Sequence, residues 1–316
     1  MNYNEFEIIK KYFTKPSSDK NILQGIGDDA AIINSNESIV ITTDTLIEGV
    51  HFPKDTPAEI VGSRSLAINL SDIASMGAIP KWCTMSISFA EANEQWISNF
   101  SKGFFKLADQ YKVSLIGGDT NKGDMSISIN LIGQIDRKPL LRSGGNIGDD
   151  LYITGSIGDA SAGLDIITKQ ASLDNEAYNF LVNRFYYPSP RIMECNEISL
   201  FANSAIDISD GLVSDLSHLC NASNCGAEIN IDLLPLSEAL SISYPSKDAI
   251  DYALNGGDDY EICFSAPKSN RKILDKLSKR LKTPFTRIGK LKKGDQVKIL
   301  YKNKPYIYSG NGYKHF

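Results

Sequence analysis

Apolar and polar residues alternate along this chain in patterns that predict both strands and amphipathic helices. In the clearest case the β-branched run Ala205–Ile208 predicts a strand, and leucines at 212, 216 and 219 predict a following helix. Asp207 and Ser209 alternate with the isoleucines, and Asp210 stands at the predicted helix start, where backbone N–H groups lack partners. Polar chemistry is therefore expected at this junction.

The same patterns predict elements along the rest of the chain. Thr56-Pro57, with a Glu three residues after the Thr, predicts a helix start, and Gly77 predicts its end. The other predicted elements are a helix over 4–13, a hairpin of 30–33 with 38–43, a strand over 83–89, a helix over 94–111, strands over 113–116, 125–135 and 151–154, helices over 159–170, 174–184 and 191–202, a strand over 227–231, a helix over 247–254, a strand over 260–265, and a helix over 268–281 before closing strands.

Length and composition predict two domains. The chain has 316 residues, which is longer than a domain with a single hydrophobic core usually is. Its richest cluster of Gly and polar residues spans 142–150 and is the best candidate for a domain boundary. We therefore expect an N-terminal domain over 1–140 and a C-terminal domain over 141–316. Strands and helices mixed in both halves indicate an α/β or α+β fold.

Charge and cysteine spacing argue against several classes of function. A net charge of −5 disfavours nucleic acid as the main partner. No run approaches the ~18 apolar residues of a membrane span, so no membrane partner is expected. Five cysteines and three histidines show no zinc-binding spacing. Without a secretion signal at the N-terminus, we expect a cytoplasmic protein.

Aspartates stand at the ends of several predicted elements. Carboxylates delivered to the tips of strands and helices are typical ligands of hard cations such as Mg²⁺. Asp72 falls in the last turns of its helix, where a carboxylate opposes the helix dipole, so a cation would explain its position. The aspartates occur in the motifs Gly27-Asp28-Asp29, Thr42-Thr43-Asp44, Asn69-Leu70-Ser71-Asp72, Gly117-Gly118-Asp119-Thr120, Asp207-Ile208-Ser209-Asp210 and Gly257-Asp258-Asp259.

Each of these aspartates, taken alone, also has an ordinary structural explanation. Asp210 could be a helix N-cap, Asp72 a solvated residue near a helix end, and Asp119 part of a Gly-Asp turn. Their repetition favours the metal-binding interpretation. The two glycines before Asp119 would also allow a ligand to approach the backbone closely.

The sequence excludes the common nucleotide-binding and catalytic motifs. Gly25–Ala30 matches the dinucleotide pattern G-x-G-x-x-A, but 20–24 is a poor strand and a hairpin rather than a helix is predicted next. A P-loop, a nucleophile elbow and a kinase-type catalytic loop are missing from the sequence. Aspartate clusters without a nucleophile and base indicate metal-assisted phosphoryl transfer, with no catalytic side chain.

Taken in order, the motifs resemble the bacterial thiamine-monophosphate kinase family, within the superfamily of aminoimidazole ribonucleotide synthetase. The resemblance implies an N-terminal α/β domain that pairs with its mate across a homodimer barrel, and a C-terminal α/β domain. It also implies that ATP and thiamine monophosphate give ADP and thiamine diphosphate. The motifs that carry it are Gly25–Ala31, Thr42–Phe52, Asn69–Ala78, Gly117–Thr120, Ile206–Leu212, Gly256–Glu261 and Gly312–Phe316.

The resemblance also implies roles for individual residues. Several Mg²⁺ ions would be held by Asp29, Thr42, Thr43, Asp44, Asp72, Asp119, Asp207 and Asp210. ATP, the co-substrate, would contact Gly118, Asp119, Arg142 and Ser209. Thiamine monophosphate would contact His51, Asp258 and Tyr313.

Two positions depart from the family pattern. Asp258 stands where relatives commonly carry Glu, which shortens the reach of the carboxylate. Gly310 stands where relatives often carry Trp, so Tyr308 or Tyr313 would have to supply a stacking ring. The alternative is that this tail only closes the C-terminal domain.

Two other functions remain open at this stage. The chain could be another ATP-dependent member of the superfamily, with a different phosphate, an amide or a selenide as acceptor. It could also be a metal-binding protein without turnover.

Overall fold

The computed structural model describes residues 5–24, 26, 31–170 and 176–306, with only the backbone of residues 5 and 6. These residues form two compact units. Unit 1 comprises the described residues of Met1–Ile73 and Ala78–Asp136, and unit 2 comprises Ala74–Gly77 with the described residues of Arg137–Phe316. Helices and strands are mixed in both units, as predicted.

Unit 1 contains a four-stranded sheet with the strand order β3-β6-β4-β5, in which β4 and β5 are parallel and the other pairs are antiparallel. A separate short pair joins β1 to β2. The elements are α1 (Glu5–Ile8), which continues as a π-helix (Ile9–Phe13), β1 (Ile22–Gln24), β2 (Ile32–Ile33), β3 (Ser38–Ile47), α2 (Ala58–Ser75), β4 (Ile79–Phe89), α3 (Glu94–Tyr111), β5 (Ser114–Lys122) and β6 (Ser126–Ile135).

The two long helices of unit 1 pack with their backbones in close contact. A Cβ atom at Gly62 of α2 would lie 2.1 Å from the carbonyl oxygen of Phe100, and one at Gly103 of α3 would lie 1.9 Å from that of Glu59. Ile73 of α2 packs over Gly133 of β6, so α2 covers one face of the sheet. That face carries the apolar core, because side chains alternate between the two faces of a strand.

Unit 2 contains a seven-stranded, mostly antiparallel sheet with the order β13-β12-β9-β11-β7-β10-β8. One face packs against α7 and α9 through buried Leu, Ile and Cys side chains. The elements are β7 (Asp150–Thr154), α4 (Asp159–Thr168), α5 (Glu176–Tyr186), α6 (Ile192–Ile198), β8 (Ser204–Ile208), α7 (Leu212–Ala222), β9 (Gly226–Asn230), α8 (Glu238–Ser243), α9 (Ser246–Asn255), β10 (Glu261–Ala266), α10 (Arg271–Leu281), β11 (Phe285–Lys292), β12 (Val297–Tyr301) and β13 (Lys304–Pro305).

Three local predictions were wrong. The predicted hairpin does not form, because β2 pairs with β1 while β3 pairs with β6. The poor strand at 20–24 contains β1, whose pairing with β2 compensates for its weak propensity. The strand predicted over 113–116 runs on to Lys122, so Gly117-Gly118-Asp119 lies inside β5 rather than after it.

The predicted boundaries of several elements are confirmed. The helix expected over 94–111 is α3, the strand expected over 205–208 is β8, and the helix expected to follow it is α7. Among the described residues, no helix combines the length and apolarity needed to cross a bilayer.

Candidate functional site

The first group of predicted ligands lies where β3 meets α2. Thr42 Oγ1 donates a hydrogen bond to Asp72 Oδ2, and the backbone N–H of Asp44 donates to Asn69 Oδ1 over 3.1 Å. Asn69 and Asp72 are three residues apart and share a helix face, while Thr42 and Asp44 share a strand face. The structure therefore brings Thr42, Asp44 and Asp72 together.

The same sheet separates two other predicted ligands from this group. The side chain of Thr43 points to the opposite face, where its hydroxyl accepts a hydrogen bond from Asn130 Nδ2 over 2.8 Å. The register places Asp119 beside Ser86, also on the face opposite Asp44. The exposed carboxylate of Asp119 accepts the backbone N–H of Thr120.

Gly118 is required by packing between strands. Its φ is 149°, and a Cβ atom there would lie 1.9 Å from the carbonyl oxygen of Met85 on β4. A ligand was predicted to approach the backbone closely at the two glycines. At Gly118 the backbone of β4 makes that close approach instead.

His51 is held in a turn that follows β3. Its Nδ1 atom accepts a hydrogen bond from the backbone N–H of Ile47 over 3.0 Å, and the backbone N–H of His51 donates to the carbonyl of Ile47. Because Nδ1 is the acceptor, the proton of the neutral ring lies on Nε2. Nε2 can then act as a donor to a substrate oxygen.

The turn between β8 and α7 is organised by an aspartate that the sequence analysis missed. Asp215 Oδ2 accepts the backbone N–H groups of Ser209 (3.1 Å) and Asp210 (3.0 Å). The N-cap of α7 is Gly211, which makes no side-chain capping bond, so the alternative that Asp210 caps the helix is wrong. Asp215 fixes the turn from inside the helix.

Burial governs the electrostatics of this turn. Asp215 is 3% exposed, and burial raises its pKa to about 8, with a further upward contribution from the nearby charge of Asp207. Asp207 is itself buried in β8. Two neighbouring carboxylates in a low-dielectric environment repel each other, and a bound cation would relieve that repulsion.

The loop before β10 packs directly against the same turn. The backbone N–H of Asp258 donates to the carbonyl of Ser209 over 2.9 Å, and a Cβ atom at Gly257 would lie 2.2 Å from that carbonyl oxygen. Asp258 and Tyr260 have φ values of 68° and 51°, unusual for residues other than Gly. The Tyr260 hydroxyl donates to Asp258 Oδ1 over 3.1 Å and thereby orients the predicted substrate ligand.

Two buried acids anchor this loop to distant parts of unit 2. Asp259 accepts the backbone N–H groups of Gly158 (2.6 Å) and Ala160 (3.1 Å) at the start of α4. Burial raises the pKa of Asp259 to about 8, while the charge of Arg184 opposes that shift. Glu261 accepts hydrogen bonds from Arg184 (2.9 Å) and from Arg191 Nε (2.6 Å).

The remaining predicted contacts are Arg142, Asp29 and Tyr313. The side chain of Arg142 is exposed, while its carbonyl accepts the Ser223 hydroxyl over 2.8 Å. Asp29, Tyr308, Gly310 and Tyr313 lie outside the described residues.

The chemistry of the donor set fits Mg²⁺. Carboxylate and hydroxyl oxygens dominate at both groups of predicted ligands, and these are the atoms that hard divalent cations prefer. In the part of the chain that the structure describes, no three acidic, His or Cys side chains form a metal cluster on their own. Mg²⁺ commonly binds through one or two carboxylates and completes its shell with waters and substrate phosphates, which agrees with so sparse a set.

The missed residues differ in how visible they were in the sequence. Asp215 stands three residues after Leu212 and four before Leu219, so it lies on the apolar stripe of a helix. An acid on such a stripe indicates a specific structural or functional role. Asp259 and Glu261 lie within the motif Gly256–Glu261, but nothing in the sequence indicated that they anchor this loop. Their partners are distant in the chain. Gly158 is 101 residues from Asp259, and Arg191 is 70 residues from Glu261.

Comparison with known proteins finds related sequences and structures that match both halves of the chain. The AIR synthase related protein N-terminal domain matches residues 27–135, and the corresponding C-terminal domain matches 146–302. The thiamine-monophosphate kinase of Buchnera aphidicola subsp. Acyrthosiphon pisum is 43% identical over all of both chains. The crystal structure of thiamine-monophosphate kinase from Stenotrophomonas maltophilia K279a is 42% identical, with a TM-score of 0.86 over 92% of this chain and 93% of that one. The structure of AaThiL complexed with AMPPCP and TMP is 33% identical, with a TM-score of 0.80 over 92% of each chain.

Replacement of Asp215 separates its role as an acceptor from its charge. We expect Asp215→Ala to lower the free energy of unfolding by about 1–3 kcal/mol, because two backbone N–H groups lose their acceptor. Asp215→Asn keeps an oxygen in the same place and should stay within about 0.5 kcal/mol of the wild type. Urea denaturation measures both. Equal losses in the two variants would mean that the charge, rather than the acceptor, holds the turn.

Proposed function

The chain belongs to the AIR synthase related family and, within it, to the thiamine-monophosphate kinases, and we propose that it transfers the γ-phosphoryl group of ATP to thiamine monophosphate with the help of bound Mg²⁺. The products are ADP and thiamine diphosphate. The proposed compartment is the cytoplasm, where thiols stay reduced, and all five cysteines are free thiols.

The full-length match to thiamine-monophosphate kinases carries this proposal. It extends across both units and includes every motif from which the resemblance was predicted, which is thereby confirmed. It favours a phosphate acceptor over the amide and selenide acceptors left open above, and an enzyme over a metal-binding protein without turnover.

Each unit contains its own group of proposed Mg²⁺ ligands. Thr42, Asp44 and Asp72 form the group supported by geometry in unit 1, and Asp207 and Asp210 lie at the turn organised by Asp215 in unit 2. Bound Mg²⁺ would neutralise charge on the phosphate oxygens. Family resemblance alone adds Asp29, Thr43 and Asp119 as ligands, Gly118, Asp119, Arg142 and Ser209 as ATP contacts, and His51, Asp258 and Tyr313 as substrate contacts.

The chemistry of the acceptor explains why no catalytic base is needed. A phosphate monoester has a second pKa of ~6, so at neutral pH its oxygen is already deprotonated. The main obstacle is repulsion between two phosphorylated substrates, and charge neutralisation together with positioning addresses it. We therefore propose direct in-line transfer without a phosphoenzyme. Thiamine, whose hydroxyl would need a base, should be a poor acceptor.

Incubation of the protein with ATP, Mg²⁺ and thiamine monophosphate should give a product with the mass of thiamine diphosphate, and chelation of the metal should abolish it.

Asp44→Asn, Asp72→Asn and Asp210→Asn should each lower kcat/KM by roughly 100-fold or more, because loss of one group that stabilises charge in the transition state costs about 2.7–4 kcal/mol.

Asp109→Asn provides the matched control, because Asp109 is an exposed acid on α3 that pairs with Lys15. It should retain wild-type kinetics. Product formation that survives chelation would contradict the role of the metal, and near-wild-type rates in all three site variants would return those aspartates to structural roles.

We also propose a homodimer in which unit 1 pairs through the edge of its sheet. β3 is an edge strand, and Ile39, Ile41 and Ile47 on it are exposed apolar side chains. Ile41→Lys, at a side chain that is 61% exposed, should convert the dimer to a monomer in light scattering, because the charge would be buried at the interface. Ile147→Lys, at a position 62% exposed in unit 2, is the control and should remain dimeric. An active wild-type monomer at assay concentration would contradict the proposal.

A further inference from the structure

Basic residues are concentrated in one segment of unit 2. Residues 268–304, which we call the basic segment, contain fourteen Lys and Arg residues but only two acidic ones, a net charge of +12 within a chain whose net charge is −5. The whole chain has fewer basic than acidic residues, 33 against 38. A general richness in Lys therefore does not explain the concentration, and the net charge of the chain conceals it.

Helix α10 arranges part of this charge as a stripe. Four exposed cations share one face of the helix, because residues three and four apart lie above one another, and leucines on the opposite face are buried. The four cations, which we call the stripe, are Lys272, Lys276, Lys279 and Arg280. At a rise of 1.5 Å per residue, the stripe is about 12 Å long.

Most of the charge on the stripe is not neutralised within the described part of the chain. Arg280 pairs with Glu197 over 2.8 Å, whereas the three lysines form no ion pair with any described residue. Asp275 is the one acidic residue of α10. Salt screens charges that lie more than about 8 Å away at physiological ionic strength, so acidic residues farther off do not cancel the local field. The stripe therefore attracts anions although the chain as a whole is acidic.

The chemistry of the basic segment favours a phosphate backbone over a protein surface or a membrane. Eleven of its fourteen cations are Lys, which is depleted in protein interfaces but binds phosphate as a compact point charge. Residues 268–300 are all described, and none of their large apolar side chains is exposed, so they offer no group for insertion into a bilayer. A line of cations can instead follow successive phosphates of one strand.

We propose that the basic segment binds the phosphate backbone of nucleic acid through the stripe on α10. Lysines that contact phosphates carry no sequence information, so binding has no sequence preference and a Kd of about 10⁻⁴–10⁻⁶ M at physiological salt. The strands β12 and β13 of the segment lie at the edge of the sheet opposite to β8, which carries Asp207. The surface thus uses none of the predicted metal or substrate ligands, and the proposal does not rest on the kinase activity.

Fluorescence anisotropy with a short, labelled single-stranded RNA of mixed sequence tests the proposal. The wild-type protein should bind the RNA at low salt and release it as KCl is added. Each neutralised phosphate of a single strand contributes about −0.7 to the slope of log K against log salt, so the four cations of the stripe predict a slope of about −3.

Removal of three charges from the stripe should weaken binding. Lys272→Gln/Lys276→Gln/Lys279→Gln should raise the Kd at low salt at least about tenfold and reduce the magnitude of the salt slope by about 2, because three phosphate contacts are lost. All three positions are exposed and Gln is a good helix former, so the fold should tolerate the changes.

A matched triple variant controls for the change in net charge. Lys102→Gln/Lys106→Gln/Lys112→Gln removes three exposed lysines in and just after α3 of unit 1, so its net charge equals that of the stripe variant. Its Kd for the RNA should stay within about twofold of the wild type, since it leaves the local field of the stripe intact.

Three outcomes would overturn the proposal. One is equal weakening in the two triple variants, because net charge rather than the stripe would then govern binding. Another is a wild type that fails to bind the RNA even at low salt. The third is a wild type that binds vesicles of phosphatidylglycerol and phosphatidylcholine but not the RNA, which would make the stripe a contact for a membrane surface.

Discussion

The hydrogen bonds from the backbone of Ser209 and Asp210 to Asp215 are the interactions on which the site in unit 2 depends. They fix a turn that presents Asp210 at the start of α7, next to buried Asp207. Burial raises the pKa of Asp215, so this arrangement opposes the accumulation of negative charge. In such a site the carboxylates repel one another until a cation binds, so the site favours cation binding. A reaction between two phosphorylated substrates requires bound cations of this kind.

Close backbone packing holds the predicted substrate ligand against that turn. Gly257 allows its loop to approach the carbonyl of Ser209, and Asp258 and Tyr260 in the same loop adopt left-handed conformations. Such conformations cost energy, and Asp259 and Glu261 offset the cost by joining the loop to α4 and to two arginines. Strain beside a predicted binding residue agrees with a loop shaped for function.

Local sequence patterns predicted elements better than they predicted partners. The amphipathic pattern of α3 and the strand-to-helix break at 209–211 are local properties, and both predictions were confirmed. The hairpin prediction failed because β3 pairs with β6, more than eighty residues away for Asp44 and its register partner Ile129, and alternation carries no information about such pairing. Alternation alone places Thr42 and Thr43 on opposite faces of a strand, but only the register shows that the face of Thr42 is the one that α2 covers. Within the site, Asp72 was predictable from its unfavourable position at a helix end, whereas the anchors of Asp259 depend on tertiary contacts.

The central claim is that the protein's oxygen ligands neutralise phosphate charge, so that the phosphoryl group passes directly between substrates without a protein nucleophile. The stereochemistry at the transferred phosphorus tests this claim most directly. ATP made chiral at its γ-phosphorus with oxygen isotopes should give thiamine diphosphate with inverted configuration, because one in-line displacement inverts the phosphorus. Retention of configuration would require two displacements through a phosphoenzyme and would contradict the account.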